Sequence, residues 1–117
     1  MSNLGLTSHR YNLILNGNSQ SVEVRSWAGQ RRIAKVVPFT WDPDQWYSMK
    51  LAVENTADGG IIRGKVWPKS GKEPKEWTIE VADPYPNIQG SPGLYFYSLA
   101  ESYFDNIRVF RNKESNR

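Results

Sequence analysis

Between residues 46 and 54 the apolar side chains Tyr47, Met49, Leu51 and Val53 alternate with the polar Ser48, Lys50 and Glu54. A period of two sends one set of side chains to a buried face and the other to water, as in a half-buried β-strand. The pattern recurs along the chain. Tyr11, Leu13 and Leu15 are set against Arg10, Asn12 and Asn16, and Val22 and Val24 against Ser21, Glu23 and Arg25. Trp77, Ile79 and Val81 are set against Glu76, Thr78 and Glu80. Further strands are expected over residues 32–39, 61–67, 94–98 and 103–110, which makes eight short strands and no amphipathic helix.

The residues between these runs are turn formers. Asn16-Gly17-Asn18 separates two alternating runs and predicts a hairpin with a type I′ turn, where positive φ favours Asn and Gly. Asp58-Gly59-Gly60 marks the next such turn. Pro68-Lys69-Ser70-Gly71-Lys72-Glu73-Pro74 reads as a polar loop, and residues 83–93 as a long Pro/Gly loop. Asp42 and Asp44 flank Pro43 in another turn, which they are expected to stabilise. The composition agrees, with 13% aromatic residues, nine Gly and seven Pro. Regular short strands and turns predict an all-β antiparallel sandwich or barrel. At 117 residues one domain is expected, over residues 1–111, with 112–117 as a disordered tail.

Composition removes several chemistries. Without cysteine there is no disulfide scaffold, thiolate zinc site, iron–sulfur cluster or cysteine nucleophile. The single His9 rules out a multi-histidine metal site, and its place beside Arg10 near the N-terminus reads as surface. The net charge of +3, with both signs interspersed, marks no basic or acidic tail. No apolar run approaches the ~18 residues of a membrane helix. The start, Met1-Ser2-Asn3-Leu4-Gly5, shows no signal-peptide pattern. No Gly-x-Ser-x-Gly elbow, Gly-x-Gly-x-x-Gly motif or P-loop occurs.

Three segments together resemble a known superfamily. They are Trp46-Tyr47-Ser48-Met49-Lys50-Leu51, then Arg63-Gly64-Lys65-Val66-Trp67-Pro68 with Glu73-Pro74-x-x-Trp77, and then Gly90-Ser91-Pro92-Gly93-Leu94 leading to Tyr103-Phe104-Asp105-Asn106-Ile107-Arg108-Val109. Their order and spacing are similar to the C-terminal part of concanavalin A-like, laminin-G-like jelly-roll modules, found on bacterial quinoprotein-type propeller proteins and in keto-disaccharide hydrolase-type domains. The resemblance implies a jelly-roll-like sandwich, a bacterial accessory module and a periplasmic or extracellular location. Such modules carry strands before the counterpart of Leu4, so a sandwich lacking N-terminal strands is expected. An edge left uncovered in that way would favour a homodimer, built beside the first hairpin or the last strand.

Catalysis on such a fold uses two carboxylates, ~5–5.5 Å apart in retaining glycosidases. Glu76 and Glu80 share a face but stand ~13 Å apart along a strand, and read as a solvated face. Binding fits better, because sugar faces stack on Trp and Tyr while polar groups hold the hydroxyls. Arg25 and Trp27 share the face opposite Val22 and Val24. Arg63, Lys65 and Trp67 share a second parity, and Tyr95 and Tyr97 a third. If these seven residues face one groove, it is aromatic and basic. A non-catalytic carbohydrate-binding or interaction module is therefore expected, with a small glycosidase-like enzyme as the alternative. The cluster Arg25, Arg31, Arg32 and Lys35 around Trp27 would suit single-stranded nucleic acid, but no RNP-type motif accompanies it. Asp105-Asn106 inside a strand is unusual. Bonding to loop backbone is the first reading and a calcium ligand at Asp105 the rival one. No other cofactor is expected.

Overall fold

The computed structural model describes residues 3–26, 33–42, 44–87, 90–97 and 103–109, with the backbone alone for Phe96 and Tyr97. It contains eight strands: β1 (Asn3–Ser8), β2 (Tyr11–Asn16), β3 (Ser21–Ser26), β4 (Ala34–Pro38), β5 (Tyr47–Thr56), β6 (Gly59–Pro68), β7 (Ile79–Asp83) and β8 (Gly93–Tyr97). They form two antiparallel sheets, one ordered β4-β3-β2-β1-β8 and the other β5-β6-β7. No helix occurs among the described residues.

Alternation decides which side of each sheet is buried. Leu13 pairs with Val24, and Leu15 with Val22, so these side chains share the inner face of the large sheet. Val53 pairs with Ile62, and Ile62 with Val81, giving the small sheet its inner face. The two inner faces pack together into one core, which Tyr11, Val66, Ile79 and Trp41 complete. Burying each large apolar side chain contributes about 1.5–3 kcal/mol. The sheets approach closely at Gly64, where an added Cβ would overlap the Leu13 side chain.

A buried polar contact also ties the sheets together. Tyr11 Oη donates to Asp83 Oδ2 at 2.6 Å, and both residues are almost fully inaccessible to solvent. Asp83 Oδ1 accepts the Tyr85 backbone N–H at 2.9 Å, and Tyr11 Oη accepts that of Asn87, also at 2.9 Å. The network fixes the start of the loop after β7 to the start of β2.

Three local expectations are corrected. First, β1 was not expected. Its turn to β2 is His9-Arg10, with φ of 53° and 63°, and so lacks the Gly, Asn or Asp that marks such turns. Loop residues hold it in place. Asn87 Nδ2 donates to Arg10 O, and a Cβ on Gly90 (φ 147°) would meet His9 and Arg10 backbone at 2.8 Å. Left-handed φ at two residues with side chains is strained. The double substitution His9→Asn and Arg10→Gly is therefore expected to stabilise the domain by about 1 kcal/mol. Urea unfolding checks this, and a lower midpoint would contradict it.

Second, the hairpin between β2 and β3 is present, but its turn is not the Asn-Gly type. The loop covers residues 17–20, and the left-handed residue is Gln20 (φ 50°). Gln20 is held from both ends of its side chain: Nε2 donates to Gly17 O at 3.0 Å and Oε1 accepts Trp41 N–H at 2.7 Å.

Third, residues 103–109 form no strand. Asn106 turns left-handed (φ 54°), and its N–H bonds Asp105 Oδ1 at 2.9 Å instead of joining a ladder. Residue 110 of that expected strand lies outside the described residues, as do Arg32, Ser98 and the expected tail 112–117. A smaller shift affects β7, which starts at Ile79 rather than Trp77. There Thr78 Oγ1 accepts the Val66 N–H at 3.1 Å in place of a backbone carbonyl.

Candidate functional site

The outer face of the large sheet carries Arg25, directly opposite Asn12. Its guanidinium reaches over the intervening strands to Tyr95 on β8. Nη2 donates to Tyr95 Oη at 3.1 Å, and the guanidinium carbon sits 5.9 Å from the ring centre. Glu23 Oε2 lies 3.7 Å from Nη1. The structure thus brings Arg25 and Tyr95 together. Trp27 lies outside the described residues, as does the side chain of Tyr97.

Arg63, Lys65 and Trp67 stand on the outer face of the small sheet, on the far side of the molecule from Arg25. Sequence parity groups residues within a strand but does not say which sheet the strand joins. The single groove expected from these residues is therefore not built. Arg63 Nε donates to Glu80 Oε2 at 2.6 Å and Nη1 to Glu54 Oε1 at 3.2 Å. Hydrogen bonding to Glu80 chiefly, then its charge and Glu54, pushes the high pKa of Arg63 further up against desolvation. Trp67 is half-buried, opposite Ser48.

Lys65 is directly opposite Lys50, a like-charge pair that would repel. Glu73 bridges the two, with Oε2 at 2.7 Å from Lys50 Nζ and 3.0 Å from Lys65 Nζ. Lys65 Nζ also donates to Pro74 O at 2.7 Å and lies 4.6 Å from the Trp77 ring centre. Hydrogen bonds from Lys50 and then Lys65 hold the Glu73 carboxyl below its usual range. A depressed folded-state pKa contributes stability that is present above the unfolded value and is lost as pH falls through the folded one. Glu73→Gln should therefore flatten the acid limb of stability below about pH 4.5. Urea midpoints from pH 6 down to pH 3 test this, and parallel acid limbs in the two proteins would contradict it.

The third place is between the sheets. Where β1 and β8 diverge from the start of β5, a cavity of about 270 Å³ opens. Leu4, Leu6, Leu15 and Met49 line its apolar interior. Trp41 and Tyr47 form one wall, packed edge to face with ring centres 6.0 Å apart. That wall is fixed by hydrogen bonds. Trp41 Nε1 donates to Asn16 O at 2.8 Å, and Tyr47 Oη accepts Asp42 N–H at 2.8 Å while donating to Gln45 Oε1 at 3.1 Å. Asp42 does stabilise its turn, because Oδ1 accepts Asp44 N–H at 2.8 Å. Residues 103–108 close the other side.

Charged and aromatic groups surround the mouth. Trp46 is 51% exposed, and Lys69 Nζ lies 5.7 Å from its ring centre. Asp105 and Arg108 also line the opening. Tyr103 and Ile107 add exposed apolar surface. Asp105 is thus at the cavity rim, committed to the N–H of its neighbour. Among the described residues no group of three or more His, Asp or Glu side chains gathers in metal-binding geometry.

Residues bearing on this cavity were not singled out as ligand-binding from sequence. Trp41, Lys69 and Arg108 follow no strand period that links them. The clustering of Phe39, Trp41, Trp46 and Tyr47 around an Asp-Pro-Asp turn was the available signal. Two antiparallel sheets enclosing an apolar core, open at one side, define the chain as a β-sandwich protein. Comparison with protein-family models, curated proteins and solved structures gives no match.

Proposed function

We propose that this chain is a binding module rather than an enzyme, and that its ligand enters the cavity between the sheets. The observation that carries the reading is the cavity itself: apolar inside, walled by ordered rings and rimmed by polar groups. Small-molecule sites have this construction. Four of the described carboxylates are held by protein partners. Glu54 and Glu80 hold Arg63, Glu73 holds two lysines, and Asp83 accepts from Tyr11. A fragment screen by ligand-observed NMR tests the reading, with Leu94→Trp as a variant that fills the mouth. Binders lost in the variant are expected. Binders indifferent to it, or turnover of any oligosaccharide, would contradict it.

A second reading keeps the carbohydrate. Trp67 and Trp77 remain partly exposed on the small sheet's outer face, with the Lys65 ammonium against Trp77. Rings beside a cation suit a pyranose face. A homodimeric, concanavalin A-like jelly-roll accessory module belongs to this reading, as does calcium near Asp105.

A further inference from the structure

We propose that the cavity takes an amphiphile with one anionic head, an aliphatic or aryl carboxylate, its apolar body between the sheets and its head at the mouth. This rests on the cavity being the binding site. The charge balance at the opening carries the inference. Lys69 and Arg108 both line it, and neither forms an ion pair among the described residues. On the outer faces, by contrast, Arg25, Lys50, Arg63 and Lys65 each have a carboxylate partner. The acid at the rim, Asp105, already accepts a backbone N–H. Two cations against one acid leave the mouth with a net positive charge that an anionic head would offset.

The interior sets the body. Leu4, Leu6, Leu15 and Met49 offer no hydrogen-bond partner, so hydroxyls pushed among them would be desolvated without compensation. A methylene chain or an aromatic ring meets no such cost. The cavity measures about 270 Å³, and a 150 Å³ apolar cavity is enough for benzene. A ligand of roughly ten heavy atoms follows, in proportion to the six of benzene in 150 Å³. The exposed Trp46 ring, beside Lys69, places an aromatic edge at the boundary between body and head.

Isothermal titration of the full chain with decanoate and with decan-1-ol at pH 7.5 and low salt tests the assignment. Decanoate is expected to bind about tenfold more tightly than the alcohol, one charge-assisted contact's worth. The double variant Lys69→Gln and Arg108→Gln, both on the surface, should reduce that preference to about twofold or less and leave the alcohol's affinity unchanged. Equal affinities in the native chain would overturn the anionic head while leaving the cavity as the site. A preference that survives the double variant would overturn the role of the two cations. No binding of either probe by a chain that melts cooperatively would overturn the cavity reading as well.

Discussion

Asp83→Ala is expected to destabilise the domain by about 3–5 kcal/mol, because it removes a buried carboxylate that accepts from two donors at once. The Tyr11 hydroxyl and the Tyr85 N–H both lose their carboxylate oxygen. Since a domain of this size is stable by about 5–15 kcal/mol in all, the variant stands near the limit of folding. Tyr11→Phe is the milder probe. It keeps the ring in the core but removes the hydroxyl's bonds to Asp83 and to the Asn87 N–H, at about 1–3 kcal/mol. Urea unfolding by fluorescence measures both. A loss below 1 kcal/mol for Asp83→Ala would show that the network does not join the sheets.

Leu13→Ala is expected to cost about 2–5 kcal/mol, by removing a fully buried side chain from the middle of the sandwich. Its partner across the sheets is Gly64. Gly64→Ala alone should cost about 1–3 kcal/mol, because the new methyl overlaps Leu13. In the double variant the methyl enters space that the leucine has left. The combined loss should therefore fall short of the sum by about 1 kcal/mol or more. Additivity within about 0.5 kcal/mol would mean that the two residues do not meet.

What could be read in advance followed from the strength of the alternation. β2 and β5 carry three or more apolar residues at a spacing of two, β3 and β6 each follow one of them across a turn signal, and all four lie where expected. β1 has only Leu4 and Leu6 and is followed by a turn of His and Arg, whose left-handed φ values are set by contacts with Asn87 and Gly90. Those contacts are far away in sequence. Residues 103–109 failed in the opposite way. Tyr103, Ile107 and Val109 alternate as a strand would, but a local side-chain bond from Asp105 takes the N–H of Asn106.

The site was harder for a topological reason. Parity groups Arg63, Lys65 and Trp67 on one face, Arg25 with Trp27 on a second and Tyr95 with Tyr97 on a third, whereas the structure joins Arg25 to Tyr95 on the outer face of the large sheet, away from Arg63, Lys65 and Trp67. Whether those faces meet depends on which strands share a sheet. The break in ladder order between β4 and β5 sends them to opposite sides. The lysine and arginine of the mouth belong to a loop and to an unladdered segment, where no periodicity operates. Lys69 reaches the opening because its N–H bonds Trp46 O at 3.0 Å, which extends the β5–β6 hairpin by one step.

The indole N–H resonances of the tryptophans provide the most direct test of where a ligand sits. Trp41 and Trp46 line the cavity between the sheets, whereas Trp67 and Trp77 belong to the outer surface of the small sheet, near Lys65. Titration of the ¹⁵N-labelled chain with decanoate should move the Trp41 and Trp46 signals and leave those of Trp67 and Trp77 in place. Movement of Trp67 and Trp77 with Trp41 and Trp46 unmoved would contradict the cavity as the binding site.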